Sequence, residues 1–110
     1  MSFEVETLPN FANEAKRLRK KFASLGDELL DLIEQLEHNP FIGTALPKGF
    51  YKIRLSIKSK GKGKRGGARV ITHVKVARNK VFLISIYDKS EQSDISVDEL
   101  NRLLLEIPEK

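Results

Sequence analysis

Apolar positions along the chain follow two periods, one of strands and one of helices. Residues 2–7, SFEVET, set Phe3 and Val5 two apart among polar neighbours, the period of a half-buried strand. Pro9 suits the first turn of a helix. Phe11, Ala15, Leu18, Phe22 and Leu25 follow at spacings of four, three, four and three, while Lys16, Arg17, Arg19, Lys20 and Lys21 mostly occupy the other faces. In SLGDE, Gly26 suits a left-handed C-cap and Asp27 can accept the orphan amides of a second helix. That helix has Leu29, Leu30, Ile33 and Leu36 as its stripe, and HNP at 38–40 stops it. The pattern predicts a helical hairpin that must pack on a sheet.

The sheet is written in three further stretches. FYKIRLSI at 50–57 alternates, with Tyr51, Ile53, Leu55 and Ile57 facing one way and Lys52, Arg54 and Ser56 the other. ARVITHVKV at 68–76 is rich in β-branched residues, and KVFLISIY at 80–87 is apolar on both faces, as a central strand would be. ARN at 77–79 is a short hairpin turn. SVDE at 96–99 is a capping box, and Leu100, Leu103, Leu104 and Ile107 form the stripe of a last helix that Pro108 closes. The order β, α, α, β, β, β, α predicts a small α+β domain over residues 1–110, a four-stranded sheet covered on one face by helices. There is no internal repeat and no domain linker.

Charge changes this picture more than composition does. From Lys48 to Lys80 there are twelve Lys or Arg and no Asp or Glu, and the rest of the chain carries eight basic and fifteen acidic residues, a net of −7. The densest part is KSKGKGKRGG at 58–67, five cations and four glycines with nothing apolar to bury. It reads as a loop between two strands, and a solvated connector is the usual fate of such a run. A cationic third on an otherwise acidic chain is also a footprint for a polyanion, nucleic acid first and an acidic protein second. Strand alternation sends Lys52 and Arg54 to the face opposite Ile53 and Leu55, beside the strand that begins near Arg69, which predicts an open basic wall.

Other chemistry is thinly represented. The chain has no cysteine, which rules out disulfides and thiolate metal sites and fits a reducing compartment. His38 and His73 stand 35 positions apart without metal-ligand spacing, so neither a metal nor another cofactor is expected. No apolar run approaches the ~20 residues that span a bilayer, and MSFEVETLPN carries acids in place of a signal peptide's basic start, so a cytoplasmic protein is expected. GKGKRGG lacks the GxxxxGK[ST] order of a nucleotide loop.

YKIRLSI, the SKGKGKRGGARVI that follows, FLISIYDKSEQSDIS and the closing amphipathic helix together resemble the RelE/ParE superfamily of bacterial toxins, and within it the RelE-like HigB toxins of type II toxin–antitoxin modules. The resemblance runs over nearly the whole chain in element order and is most specific from Phe50 to Ser96. It implies an endoribonuclease that cuts mRNA in the ribosomal A site, bound and silenced by a cognate antitoxin, helix-turn-helix HigA-like or RelB-like, with operator DNA reached only through that complex. The gyrase-poisoning ParE branch shares the fold, so a gyrase inhibitor is the competing reading, and a plain RNA- or ribosome-binding module a third.

A metal-free ribonuclease can use the substrate's own 2′-hydroxyl, so the protein must accept that proton, stabilise the phosphate and protonate the leaving oxygen. By resemblance Lys52 and Arg54 hold the family's basic strand positions and Arg69 its strand arginine, the brace for the scissile phosphate. Lys52 among cations would have its neutral form favoured and is the candidate base; Tyr87 and Lys89 are the candidates for the acid. Lys58, Lys60, Lys62, Lys64 and Arg65 are candidate RNA contacts. His73, on the parity of Arg69, joins them as a ring that could stack on a base, although a structural place in the strand is the commoner role of such a histidine.

Overall fold

The computed structural model describes residues 2–60 and 67–108, so Lys62, Lys64 and Arg65 lie outside the described residues, as does the side chain of Lys60. The chain enters as strand β1 (Glu4–Thr7) and turns into helix α1 (Pro9–Lys21), with Pro9 in the first helical turn as expected. Helix α2 (Leu25–His38) follows. The SLGDE reading is corrected: α1 already ends at Lys21 and Ser24 flanks α2, so Gly26 and Asp27 lie inside its first turn. The α2 stripe is Leu25, Leu29, Leu32 and Leu36, spaced four, three and four, while Leu30 is exposed.

Strand β2 (Thr44–Ala45) is followed by β3 (Phe50–Leu55), β4 (Ala68–Lys75) and β5 (Lys80–Asp88), and helix α3 (Val97–Leu104) closes the fold. The sheet order is β1-β5-β4-β3-β2, antiparallel except for the parallel β1–β5 pair. The sheet therefore has five strands rather than four. Two residues carry no readable period, and β2 exists only through its pairing of Thr44 with Lys52 and Ala45 with Tyr51.

Two apolar layers sandwich the sheet. On one face α1 and α2 press Phe11, Leu18, Leu25 and Leu36 onto Ile53, Leu55, Val70, Val74, Val81, Leu83 and Ile86. On the other, Leu100, Leu103 and Ile107 cover Phe50, Ile71, Phe82, Ile84 and Tyr87. The expectation of helices on a single face is thus corrected. The double-sided apolar pattern of β5 demanded a second cover, and the α3 segment supplies it. The first turn of α3 is held as the capping box predicted on one side only: Ser96 Oγ accepts the Glu99 N–H at 3.1 Å, while the Glu99 carboxylate turns to Arg102.

Candidate active site

The β3–β4 register pairs Arg54 with Arg69, and the β4–β5 register pairs Arg69 with Tyr87. Three side chains thus form one row across three adjacent strands, spanning roughly 10 Å at the usual strand spacing. All three belong to the α3 face: Ile53, Leu55, Ala68 and Val70 point to α1 and α2, and Tyr87 lies in the apolar layer under α3. Like charges directly opposite each other weaken a strand pair. Two arginines at directly opposed positions therefore invite a functional reading.

The phase of β5 that brings Tyr87 into this row is set by a bulge. The register passes from Ile71↔Ser85 to Thr72↔Leu83, leaving Ile84 as the extra residue. Val81, Leu83 and Ile86 face the first helical layer while Phe82, Ile84 and Tyr87 face the second, so strict alternation breaks between Ile84 and Ile86. Without the extra residue, Tyr87 would point to the wrong face.

Beyond β5 the chain returns across this face. Ile95 packs against the second apolar layer, and Asp94 Oδ1 lies 3.2 Å from Lys52 Nζ while accepting the Ile95 N–H at 2.8 Å. That N–H and the Lys52 bond hold the Asp94 carboxyl below the ordinary aspartate range, with Lys89 adding to the effect. Lys89 Nζ donates to Ser93 O at 3.2 Å, closing the same turn. The turn's start is fixed by Asp88, fully buried, whose Oδ1 accepts the Ser90 N–H and hydroxyl and whose Oδ2 lies 3.4 Å from Lys21 Nζ.

Arg69 is buried at 5% exposure, with Nη1 donating to Ala68 O at 3.2 Å; Arg54 is exposed and Lys52 is half-buried. Among the described residues the basic wall is therefore open at its β3 rim, because the returning turn and the α3 layer cover Arg69 and Tyr87. Tyr87 is 4% exposed, and its hydroxyl has no hydrogen-bond partner among the described residues. Burial raises the Tyr87 phenol above its ordinary value, Asp94 pushes the same way, and Arg69 opposes them. A buried polar group without a partner among the described residues invites a functional reading, and this one keeps its proton at the end of a row that holds two cations.

Residues 11–106 match the family described as the RelE toxin of the RelE/RelB toxin–antitoxin system. The chain belongs to the RelE toxin family. The fold agrees: a mutant of the Escherichia coli toxin RelE with two arginines replaced, in the free state, superposes with a TM-score of 0.62 at 17% identity over 98% of this chain and 100% of that one. The isolated E. coli RelE toxin gives 0.59 at 16% identity, over 96% and 100%. The RelBE2 toxin–antitoxin complex of Mycobacterium tuberculosis gives 0.60 at 14%, over 80% and 92%.

In this RelE-family chain the structure brings together Lys52, Arg54, Arg69, Tyr87 and Lys89, all linked through the row or through Asp94. It does not bring His73 to them. His73 lies four residues along β4 from Arg69, about 13 Å at strand rise, with its ring edge-on to Phe50 at 4.9 Å and Nε2 2.9 Å from Lys48 O. Lys58 is exposed, and its N–H donates to Glu28 Oε2 at 2.7 Å, which anchors the stem of the basic loop to α2. Gly67 forms the other stem: a Cβ there would sit 2.1 Å from Leu55 O.

Asp94 went unread as a site residue, although it is an acid in the short polar stretch straight after the last strand. Its presence also alters the premise for Lys52 as base, since this lysine faces a carboxylate as well as cations. Among the described residues no group of His, Cys, Asp or Glu could hold a metal ion, and no helix is long and apolar enough to cross a membrane.

Proposed function

We propose that this toxin is a ribosome-dependent mRNA endoribonuclease of the RelE-like HigB type. The observation that carries the reading is the row of Arg54, Arg69 and Tyr87 across β3, β4 and β5, two facing cations beside a buried phenol. Arg54 and Lys52 at the open rim receive the phosphates flanking the scissile bond; Asp94 yields its place on Lys52 to one of them, and the turn that carries it shifts outward to admit the scissile phosphate to Arg69 and Tyr87. Arg69 stabilises the negative charge that gathers on the phosphoryl oxygens in the transition state. The 2′-hydroxyl gives its proton to the Asp94 carboxylate, whose ionised form the Ile95 N–H still favours, and its oxygen attacks phosphorus. The bond from phosphorus to the 5′-oxygen breaks, and Tyr87, whose proton burial retains, donates it to the leaving oxygen. The products are a 2′,3′-cyclic phosphate and a 5′-hydroxyl end.

The partner that keeps such a toxin silent is a cognate antitoxin, a reading supported by the family and by the fold shared with the toxin–antitoxin complex. Lys58 and the loop it opens dock on ribosomal RNA through point-charge phosphate contacts. Inducing the chain alone in bacteria arrests translation with cleaved mRNA, and co-expressing the antitoxin encoded beside it restores growth. Arrest with intact mRNA and double-strand DNA breaks would move the protein to the gyrase-inhibiting branch.

A further inference from the structure

The outer edge of β5 is covered by β1 only as far as Leu83. Beyond it, two side chains of α1 take over the ladder. Asn10 Nδ2 donates to Ile84 O at 2.9 Å, and the Ile86 N–H donates to Glu14 Oε1 at 3.2 Å, so an acceptor and a donor of the strand edge each find a partner. The same Glu14 oxygen accepts the Ser85 hydroxyl at 2.8 Å and Asn10 Nδ2 at 3.0 Å. Asn10 and Glu14 are one helical turn apart and face the same way.

Every one of these contacts that reaches β5 falls on Ile84, Ser85 or Ile86, the residues of the bulge. A bulge leaves backbone groups out of the ladder, and a one-residue slip reverses every later side chain. Ile86 and Tyr87 are the residues whose faces would exchange. Glu14 is also the only acid in α1, a helix otherwise carrying Lys16, Arg17, Arg19, Lys20 and Lys21, and it sits inward among the described contacts rather than pairing with those cations.

We infer that Glu14, with Asn10 beside it, is a positioning residue of the site: by fixing the bulge at Ile84 and Ser85 it sets the face on which Tyr87 meets Arg69. Its consequence for cleavage rests on the proposed ribonuclease activity; its consequence for Tyr87 does not. The claim concerns α1, a helix on the opposite side of the sheet from the row, and it makes the first helix part of the site's architecture.

The test reads both consequences. In a Tyr51→Phe background, where Tyr87 is the one tyrosine, the ultraviolet titration of its phenol is followed in the parent, Glu14→Ala, Glu14→Gln and Ser85→Ala proteins. Glu14→Ala moves the Tyr87 titration down toward that of an exposed tyrosine, and Glu14→Gln, which keeps an acceptor oxygen, restores the parent value. Ser85→Ala removes one bond of the set and shifts the titration the same way by less, which keeps the test open should Glu14→Ala fold poorly. On programmed ribosomes Glu14→Ala lowers kcat about tenfold with KM within about twofold, the pattern of a lost transition-state group, and Glu14→Gln recovers most of it. An unchanged phenol titration in Glu14→Ala and Ser85→Ala overturns the inference. A shifted titration in a protein whose parent cleaves nothing upholds the positioning and overturns the ribonuclease reading instead.

Discussion

Arg69 and Tyr87 stand directly opposite each other on β4 and β5, a buried guanidinium beside a buried phenol whose hydroxyl has no partner among the described residues. The two differ in what the fold needs from them. Arg69 is bonded into its surroundings through Ala68 O, whereas the Tyr87 hydroxyl bonds to nothing described. Tyr87→Phe therefore leaves thermal stability unchanged or slightly raised, since it deletes an unsatisfied buried group. The same substitution lowers cleavage by about a hundredfold, the usual worth of a positioned proton donor. Paired melting curves and single-turnover cleavage check this; a destabilised protein with full activity would assign the hydroxyl a structural role.

Removing the Arg69 charge separates chemistry from docking. Arg69→Ala reduces the rate of cleavage by about 10²–10³-fold, the loss seen when one preorganised donor of an oxyanion site is deleted. Ribosome affinity changes little, because one phosphate contact among many is lost. Parallel losses of binding and cleavage would contradict the assignment.

Asp94 holds Lys52 in the resting protein. Asp94→Asn uncovers that cation, so affinity for ribosome-bound mRNA rises and the slope of log affinity against log salt steepens by about 0.7, one more phosphate contact on a single strand. Cleavage falls at the same time, because the proton acceptor is gone. Salt titrations of binding beside rate measurements decide it, and a rise in both affinity and rate would leave Asp94 as a mere cover.

The sequence made some of this plain and hid the rest for physical reasons. Lys52 and Arg54 were assigned to a common face by clean alternation against Ile53 and Leu55, and that assignment holds. Tyr87 could not be placed by alternation, because VFLISIY at 81–87 is apolar at every position but Ser85 and its bulge leaves no periodic trace. β2 was too short to read, and the face taken by α3 depends on which side of the sheet still lacked a cover. Leu32 and not Leu30 lies in the buried α2 stripe: Leu29 and Leu36 are common to both sets, and apolar residues stand on both flanks of them, so the pattern alone does not choose the flank that packs. The cationic loop was visible at once, since charge needs no register to be read.

His73 gives the fold a pH dependence independent of the site. Burial lowers its pKa below the ordinary 6.5, Lys75 adds to this, and the Lys48 carbonyl opposes it. The unfolded chain therefore takes up a proton near pH 6.5 that the folded chain refuses until lower pH, so this contribution is complete above 6.5 and is lost as pH falls below it. Urea denaturation from pH 7.5 down to 5 shows declining stability, and His73→Phe, which keeps a ring against Phe50, flattens that decline. An equal decline in both proteins would place the responsible proton elsewhere.

The central claim is that the row cuts RNA through the substrate's own 2′-hydroxyl. Its most direct measurement is the purified toxin acting on an mRNA bound to programmed ribosomes, with the new ends identified by mass spectrometry. The account predicts 2′,3′-cyclic phosphate and 5′-hydroxyl ends with the wild-type protein, no cuts in the same mRNA without ribosomes, and almost none with Arg69→Ala. Intact mRNA with a folded, ribosome-bound toxin would contradict it.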